Sequence, residues 1–455
     1  MSSEKTMIRD LTKGKVLPQL LRFAAPLLLA NILQMVYNVV DMVIIGRFVG
    51  SAGISAVSNG GDLLLLFTTF SMGFTSAGQV IIAQFVGKND KKSINSMIGT
   101  MFTFILALSI VLMVVGLSIS KWLLTVLNTP VDAYEMAVDY TTVCFSGLFF
   151  IFGYNIVSAI LRGMGDAKRP FVFIGIATVV NIVLDLVFVA GLDMRAKGAA
   201  LATVIGQGVS FLFSLVYLYR RREAFGFDFA PKSFKINGKL LAMLTKLGLP
   251  MALQHVAVSL SGLVVAALIN SHGLIASAVA GIGGKLRLLI QIFASSIGMA
   301  ASSMIGQNFG AGLCDRVKDI YRCSFRVLII ICAVLGGLCL MFPEAVFGIF
   351  DTNPEVLAMA PHYMVINFAT FIAFAFMQPG VALINGIGYA KLSFFVGIMD
   401  GVVCRIFLVL LFGLVLKLGV WGIWWGAVLP AYVNGFITMG YYLSGRWRNR
   451  KPIIN

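Results

Sequence analysis

The chain carries little charge. Asp, Glu, Lys and Arg make up 12% of its 455 residues, about half the share of a typical soluble domain. It has three His and six Cys. Cys144, Cys314, Cys323, Cys332, Cys339 and Cys404 form no CxxC and have no His at metal-ligand spacing. This speaks against a zinc site, a redox motif and a disulfide-stapled secreted domain, and Cys lying mostly in apolar runs are expected to serve packing. Long polar stretches are scarce too, the longest being 220–240. What remains is 59% hydrophobic, with 47 glycines besides. No soluble core of this length hides so much apolar surface. The composition excludes a soluble enzyme and a disordered chain, and it points to a polytopic membrane protein.

The net charge of +16 would suit a nucleic-acid partner if it were clustered. Instead the Lys and Arg sit in short gaps between apolar runs, as the positive-inside rule places them, and no nucleic-acid partner is expected. Lys5, Arg9, Lys13 and Lys15 precede an apolar stretch too long for a cleaved signal peptide, so it reads as a first membrane helix. Spanning runs fall near 17–48, 53–84, 94–121, 133–161, 170–191, 197–219, 241–271, 276–309, 321–343, 355–384, 391–416 and 420–444. The expected fold is therefore all-α and integral to the membrane, with twelve transmembrane helices.

The two halves of the chain match. Pro26 pairs with Pro250, Gln84-Phe-Val-Gly87 with Gln307-Asn-Phe-Gly310, Tyr140 with Tyr363, Arg162–Lys168 with Asn385–Lys391, and Gly198 with Gly422, always at an offset of 223 or 224. A constant offset implies duplication. Six helices per copy is even, so the repeats are parallel, about an axis along the membrane normal. The expected organisation is a first half at 1–220, a cytoplasmic linker at 221–240 and a second half at 241–455. With the N-terminus inside, 27 Lys and Arg are cytoplasmic and five (Arg47, Lys121, Arg195, Lys197, Lys417) are external. That imbalance puts both termini in the cytoplasm.

Inside the spans, polar residues cluster in the first half. Asn31, Gln34, Asn38 and Asp41 step by 3, 4 and 3 along one face of the first helix, with Tyr37 a turn before Asp41 and Pro26 permitting a bend. Thr178, Asn181 and Asp185 share a face of the fifth helix, Thr203 and Gln207 of the sixth. Tyr154 and Asn155 are adjacent polar positions in the fourth, and Phe150 lies near them. Amides and hydroxyls in a membrane can simply bond one another, at about 0.6 kcal/mol each. Aspartates are different, since a charge at a helix centre costs about 2.5–3.5 kcal/mol. An oxygen-rich pocket holding Asp41 and Asp185 would suit a proton or a hard cation. The second half has Val265 opposite Asp41 and Leu408 or Val409 opposite Asp185, so the acidic pocket is not repeated. That half holds His255, Lys285, Arg287, Asp400 and Arg405 instead. Asp400 and Arg405 are five apart, a poor spacing for a pair on one α-helix, which leaves a bond to another helix as the alternative. Gly163-Met-Gly-Asp166 spells the GxGD of intramembrane aspartyl proteases, but Lys168 and Arg169 place Asp166 in a cytoplasmic loop, and no catalytic role is expected.

Over its whole length the chain resembles the multidrug and toxic compound extrusion (MATE) transporters. The resemblance rests on the six-plus-six plan and on Pro26…Gln34…Tyr37…Asp41 followed by Gly-Arg-Phe-Val-Gly at 46–50. It rests also on the Leu161–Lys168 loop, and on Asn181-Ile-Val-Leu-Asp185 with Gly198-Ala-Ala-Leu-Ala-Thr203. It implies a V-shaped pair of six-helix lobes in a bacterial inner (plasma) membrane, and drug resistance through antiport of amphipathic, mostly cationic drugs or metabolites against inward H+ or Na+. No cofactor beyond the coupling ion is implied, and the protein is expected to work as a monomer among membrane lipids. In the DinF-like branch the coupling site matches Asp41, Asn181, Asp185 and Thr203, where Na+ is the possible metal. The substrate-pocket motif matches Gln34, Tyr37 and Asn155; Tyr154 and Phe150 join it as neighbours, and Pro26 is the expected hinge. NorM-like members carry a second acidic pair, on the seventh and tenth helices. Here those helices offer His255 and Asn367, which favours the DinF-like or MepA-like branch. The competing function is a lipid-linked sugar flippase of the same superfamily. A pyrophosphate cargo would call for several basic residues in the cavity, and the first half has none in its interior.

Overall fold

The computed structural model of the protein describes residues 9–454; Lys5 lies outside the described residues. These residues form helices and no strands. We number the long helices α1 (Val16–Phe48), α2 (Ser51–Lys88), α3 (Lys91–Val126), α4 (Val131–Ser146 with Leu148–Gly163), α5 (Lys168–Gly191) and α6 (Arg195–Arg220) in the first half. The second half has α7 (Gly238–Asn270), α8 (Leu274–Gly310), α9 (Cys314–Met341), α10 (Pro354–Gly386), α11 (Ala390–Val415) and α12 (Gly419–Leu443). Ten are long and apolar enough to cross a membrane, and α4 makes an eleventh span although it bends by 48°. The remaining helix, α12, is 25 residues long and free of charged side chains.

The helix ends follow from the sequence. Asp90 caps α3, accepting from the Ser93 N–H at 3.0 Å and the Ser93 hydroxyl at 2.7 Å, and these bonds hold its carboxyl below the usual carboxylate range. The bend in α4 falls at Gly147, where a Cβ would run into Val204 of α6. The end of α5 widens into a π-helical turn, Leu186–Gly191. α11 has two such turns, Met399–Cys404 and Leu411–Val415.

The duplication reaches down to single contacts. A Cβ at Gly163 would lie 2.7 Å from the Gln79 carbonyl oxygen, and one at Gly386 would lie 2.9 Å from that of Ser302. Both glycines also press on an isoleucine, Ile82 and Ile305. Gly60 meets Tyr140 just as Gly283 meets Tyr363, and Gly198 meets Phe188 just as Gly422 meets Phe412. Each pair keeps the 223 or 224 offset. These small residues let helix backbones approach where no hydrophobic force separates lipid from side chain. The turns match too, with positive φ at Gly50 and Gly273 (87° and 99°) and at Gly165 and Gly388 (85° and 75°).

The described residues divide into two compact units, one holding Ala25–Ala252 and the other holding Leu11–Ala24 with the chain from Leu253 on. Both divisions cut a helix beside a proline, Pro26 in α1 and Pro250 in α7. In the second unit Arg316 donates to the Gly14 carbonyl at 2.7 Å, and the Leu11 N–H donates to Gln307 Oε1 at 3.0 Å, fixing the segment ahead of α1. In the first unit the segment ahead of α7 is fixed by the Thr103 hydroxyl on the Phe234 carbonyl at 2.6 Å. The Asn237 N–H on the Thr100 hydroxyl at 3.2 Å adds to it.

Gly163→Ala and Gly386→Ala should each destabilise the protein by about 1–3 kcal/mol. The backbone collision outweighs the ~0.5–1 kcal/mol that alanine gains over glycine in a helix. Gly337→Ala, with open space around it, should be neutral or slightly stabilising. Thermal unfolding midpoints of the three variants in detergent check the ordering.

Candidate functional site

The first unit brings Asp41, Asn181, Asp185 and Thr203 together. Asp41 is 6% exposed, Asn181 3%, Asp185 0% and Thr203 8%. The carboxyl groups of Asp41 and Asp185 lie within hydrogen-bonding reach of each other. With its amide oriented to satisfy both ends, Asn181 donates to Asp185 Oδ2 at 3.1 Å and accepts from the Thr203 N–H at 3.1 Å. Thr203 Oγ1 is 3.3 Å from the Tyr37 hydroxyl, either of which can donate. One oxygen on each aspartate, Oδ1, is buried with no partner.

Local sequence explains the convergence. Asn181 and Asp185 are one turn apart on α5, and α6 comes close because Gly206 faces it. A Cβ there would be 3.0 Å from the Ala177 carbonyl and 3.3 Å from the Asn181 Cβ. Beside the aspartates is a narrow cavity of about 10 Å³, lined by Tyr37, Thr178, Asn181, Thr203 and Gln207 among others. That is room for one water-sized guest. The Gln207 Oε1 is buried without a partner. Tyr140 and Cys144 of α4, hydrogen-bonded to each other, close the wall near Tyr37 and Asp41. In the sequence Tyr140 stands out only as a repeat match and Cys144 only as a cysteine in an apolar run. The four-residue step between them was the signal for a shared face.

Other expected positions lie elsewhere. Of the stripe on α1, Asp41 is buried and Tyr37 half-buried, but Gln34 and Asn38 are exposed. The Tyr154 hydroxyl donates to the Pro170 carbonyl at 3.1 Å, toward the far end of α5. Asn155 is half-buried, and Phe150 packs edge-on against Phe149 with 36% of its surface exposed. Pro26 sits within a continuous α1. Asp166 is a loop cap, accepting from the Lys168 and Arg169 N–H groups at 3.1 and 3.3 Å and pairing with Arg169 at 3.0 Å.

The second half differs from expectation at Asp400 and Arg405. They do pair on one helix, at 2.9 Å, because Met399–Cys404 is π-helical. The wider turn brings residues five apart back onto one face, which an α-helix does not. Asn434 of α12 adds a bond to Asp400 at 3.4 Å. His255 is exposed within its unit, and Lys285 sits 5.1 Å over the Phe350 ring. The six Cys are free, and no group of three or more His, Cys, Asp or Glu is disposed to hold a metal among the described residues.

The MatE family model matches this chain twice, at residues 26–187 and 250–411. The chain belongs to the MatE family. The two matched segments are 224 apart at both ends, the offset of the internal repeat. "Probable multidrug resistance protein YoeA" of Bacillus subtilis is 30% identical to it, over 97% of this chain and 96% of that protein. "Multidrug export protein MepA" of Staphylococcus haemolyticus is 21% identical, over 97% and 96%. A solved outward-facing MATE transporter of the MOP superfamily shares the fold with a TM-score of 0.90 at 20% identity, covering 99% of this chain and all of that one. The relatives of this family member are membrane transporters, not enzymes.

Asp400→Asn removes one partner of an enclosed pair and leaves Arg405 uncompensated. A buried pair broken this way costs about 3–5 kcal/mol. Arg405 keeps 18% of its side chain exposed, so a loss nearer the low end is expected, with the ion dependence of transport unchanged. Unfolding midpoints and ion titrations of flux on the same preparation check both halves of this expectation.

Proposed function

We propose that the protein is a secondary antiporter that exports amphipathic, mostly cationic small molecules in exchange for inward H+ or Na+. The observation that carries this is the Asp41–Asp185 contact, two acidic groups closed off from water with Asn181 and Thr203 around them. Two carboxyl groups within reach of each other share a hydrogen bond only when one of them keeps a proton, because a carboxylate donates none. A small cation could take its place, since two unpartnered carboxylate oxygens and the Thr203 hydroxyl form a hard oxygen donor set.

In this reading the bound ion and a cationic substrate compete for the same negative charge, which makes the two movements an exchange. One inward charge gains about 2.3 kcal/mol per 100 mV, and exporting one monovalent cation cancels that gain. A one-for-one cycle then runs on the chemical gradient alone. The halves 1–220 and 241–455, joined by 221–240, act as the moving lobes, with coupling seated in the first. Both termini are cytoplasmic, and the membrane is a bacterial plasma membrane. The flippase reading has no support in a coupling site whose walls carry no basic residue.

Asp41→Asn should leave expression and unfolding midpoint within a small margin of wild type and abolish gradient-driven efflux of an organic cation from proteoliposomes. The assay applies a proton gradient and a Na+ gradient separately. Undiminished efflux by the variant under either gradient contradicts the assignment.

A further inference from the structure

At the end of α12 the second unit holds a cavity of about 440 Å³, much larger than the one beside Asp41. Tyr389, Tyr441, Ser444, Arg446 and Arg450 line it, and no acidic residue does. The Arg450 guanidinium lies 3.6 Å from the centre of the Tyr389 ring and is hydrogen-bonded to Tyr441. Its Nε is buried without a hydrogen-bond partner. The arginines are not on a loose tail. Trp447, 1% exposed, donates from its indole N–H to the Tyr442 carbonyl at 3.0 Å and stacks on the Tyr442 ring, which pins the turn Arg446–Asn449 against α12.

The duplicated half shows what belongs in such a place. At the repeat offset, Asp166 stands where Tyr389 does, Arg169 where Leu392 does, and Tyr217 where Tyr441 does. There Asp166, 5% exposed, pairs with Arg169 at 3.0 Å, and Arg169 lies 5.8 Å over the Tyr217 ring. The first half thus supplies its own carboxylate to the basic and aromatic groups at this corner. The second half has a tyrosine in the acid's position and a leucine in that of Arg169, and two other arginines, Arg446 and Arg450, line an open cavity there.

We infer that this cavity binds a phosphate-type anion from outside the chain, carried by an anionic lipid headgroup or free in solution. Planar guanidinium groups match phosphate oxygens two bonds at a time, and the tyrosine and serine hydroxyls are further donors at the rim. Leu443 and Phe436, 72% and 62% exposed, extend an apolar surface from the cavity along α12, where the chains of a bound lipid would run. The site is separate from the proposed coupling site, and its test does not depend on transport.

The purified protein in uncharged detergent is titrated with dioctanoyl phosphatidylglycerol, dioctanoyl phosphatidylcholine or inorganic phosphate while the unfolding midpoint is followed. Phosphatidylglycerol should raise the midpoint at a concentration at least tenfold below that needed with phosphatidylcholine. Arg446→Gln combined with Arg450→Gln should weaken the response tenfold or more. Tyr389→Asp, which installs the carboxylate of the first half, should keep the starting midpoint and lose the response. A matching rise with inorganic phosphate identifies the free anion as sufficient, and a rise with phosphatidylglycerol alone identifies the headgroup. Equal responses in wild type and Tyr389→Asp, or none to either anion, overturn the inference. Should Tyr389→Asp start from a lower midpoint, the number of phosphatidylglycerol molecules retained in native mass spectrometry decides on the double arginine variant, and an unchanged number overturns the inference.

Discussion

Two carboxyl groups within hydrogen-bonding reach cannot both be ionised and still bond, because neither would have a proton to give. Asp41 and Asp185 meet this constraint inside a helical unit, with one oxygen each left unpartnered. The surrounding structure is arranged around that contact. Asn181 bonds Asp185 and the backbone of α6 together, Thr203 reaches Tyr37 on α1, and Gly206 lets α5 and α6 close to the distance this requires. Three helices are held by one polar cluster. A change of charge at the contact is therefore felt on α1, α5 and α6 together.

The duplication supplies the scaffold, and divergence supplies the chemistry. Glycine contacts and turn geometries repeat at a fixed offset, so both halves solve the packing problem alike. Polar groups do not repeat. The second half has Val265 and Val409 near the positions of the two aspartates. Its own buried acid, Asp400, is neutralised by Arg405 and bonded by Asn434. A carboxylate that already has a cation beside it has little to gain from another. The two acidic sites therefore belong to different classes, an Asp41–Asp185 pair in one half and an Asp400–Arg405 ion pair in the other.

Much of this was legible in the residues. Hydropathy gave the spans, the offset gave the repeat, and helical spacing put Asn181 and Asp185 on one face. Asp41 stood out because an acid deep in an apolar helix needs a partner. What spacing could not show was which members of a polar stripe turn inward. Gln34 and Asn38 share a helix face with Asp41, yet only Asp41 is buried, because burial depends on which neighbouring helix covers each turn. Nor could an α-helical wheel show Asp400 meeting Arg405. That pair needs the π-helical turn, a backbone change with no strong sequence mark. The arginine-lined cavity beyond α12 was hidden for another reason: its lining comes from two segments far apart in the chain, joined only by the fold.

Counting protons tests the central contact most directly. Wild-type protein and the Asp41→Asn and Asp185→Asn variants, in weakly buffered, Na+-free detergent solution, are mixed with an organic cation that the wild type transports, and the protons released per molecule are measured. The shared-proton contact predicts about one from the wild type and none from either variant. No release from wild type at any pH from about 5 to 8, or equal release from the variants, would contradict it.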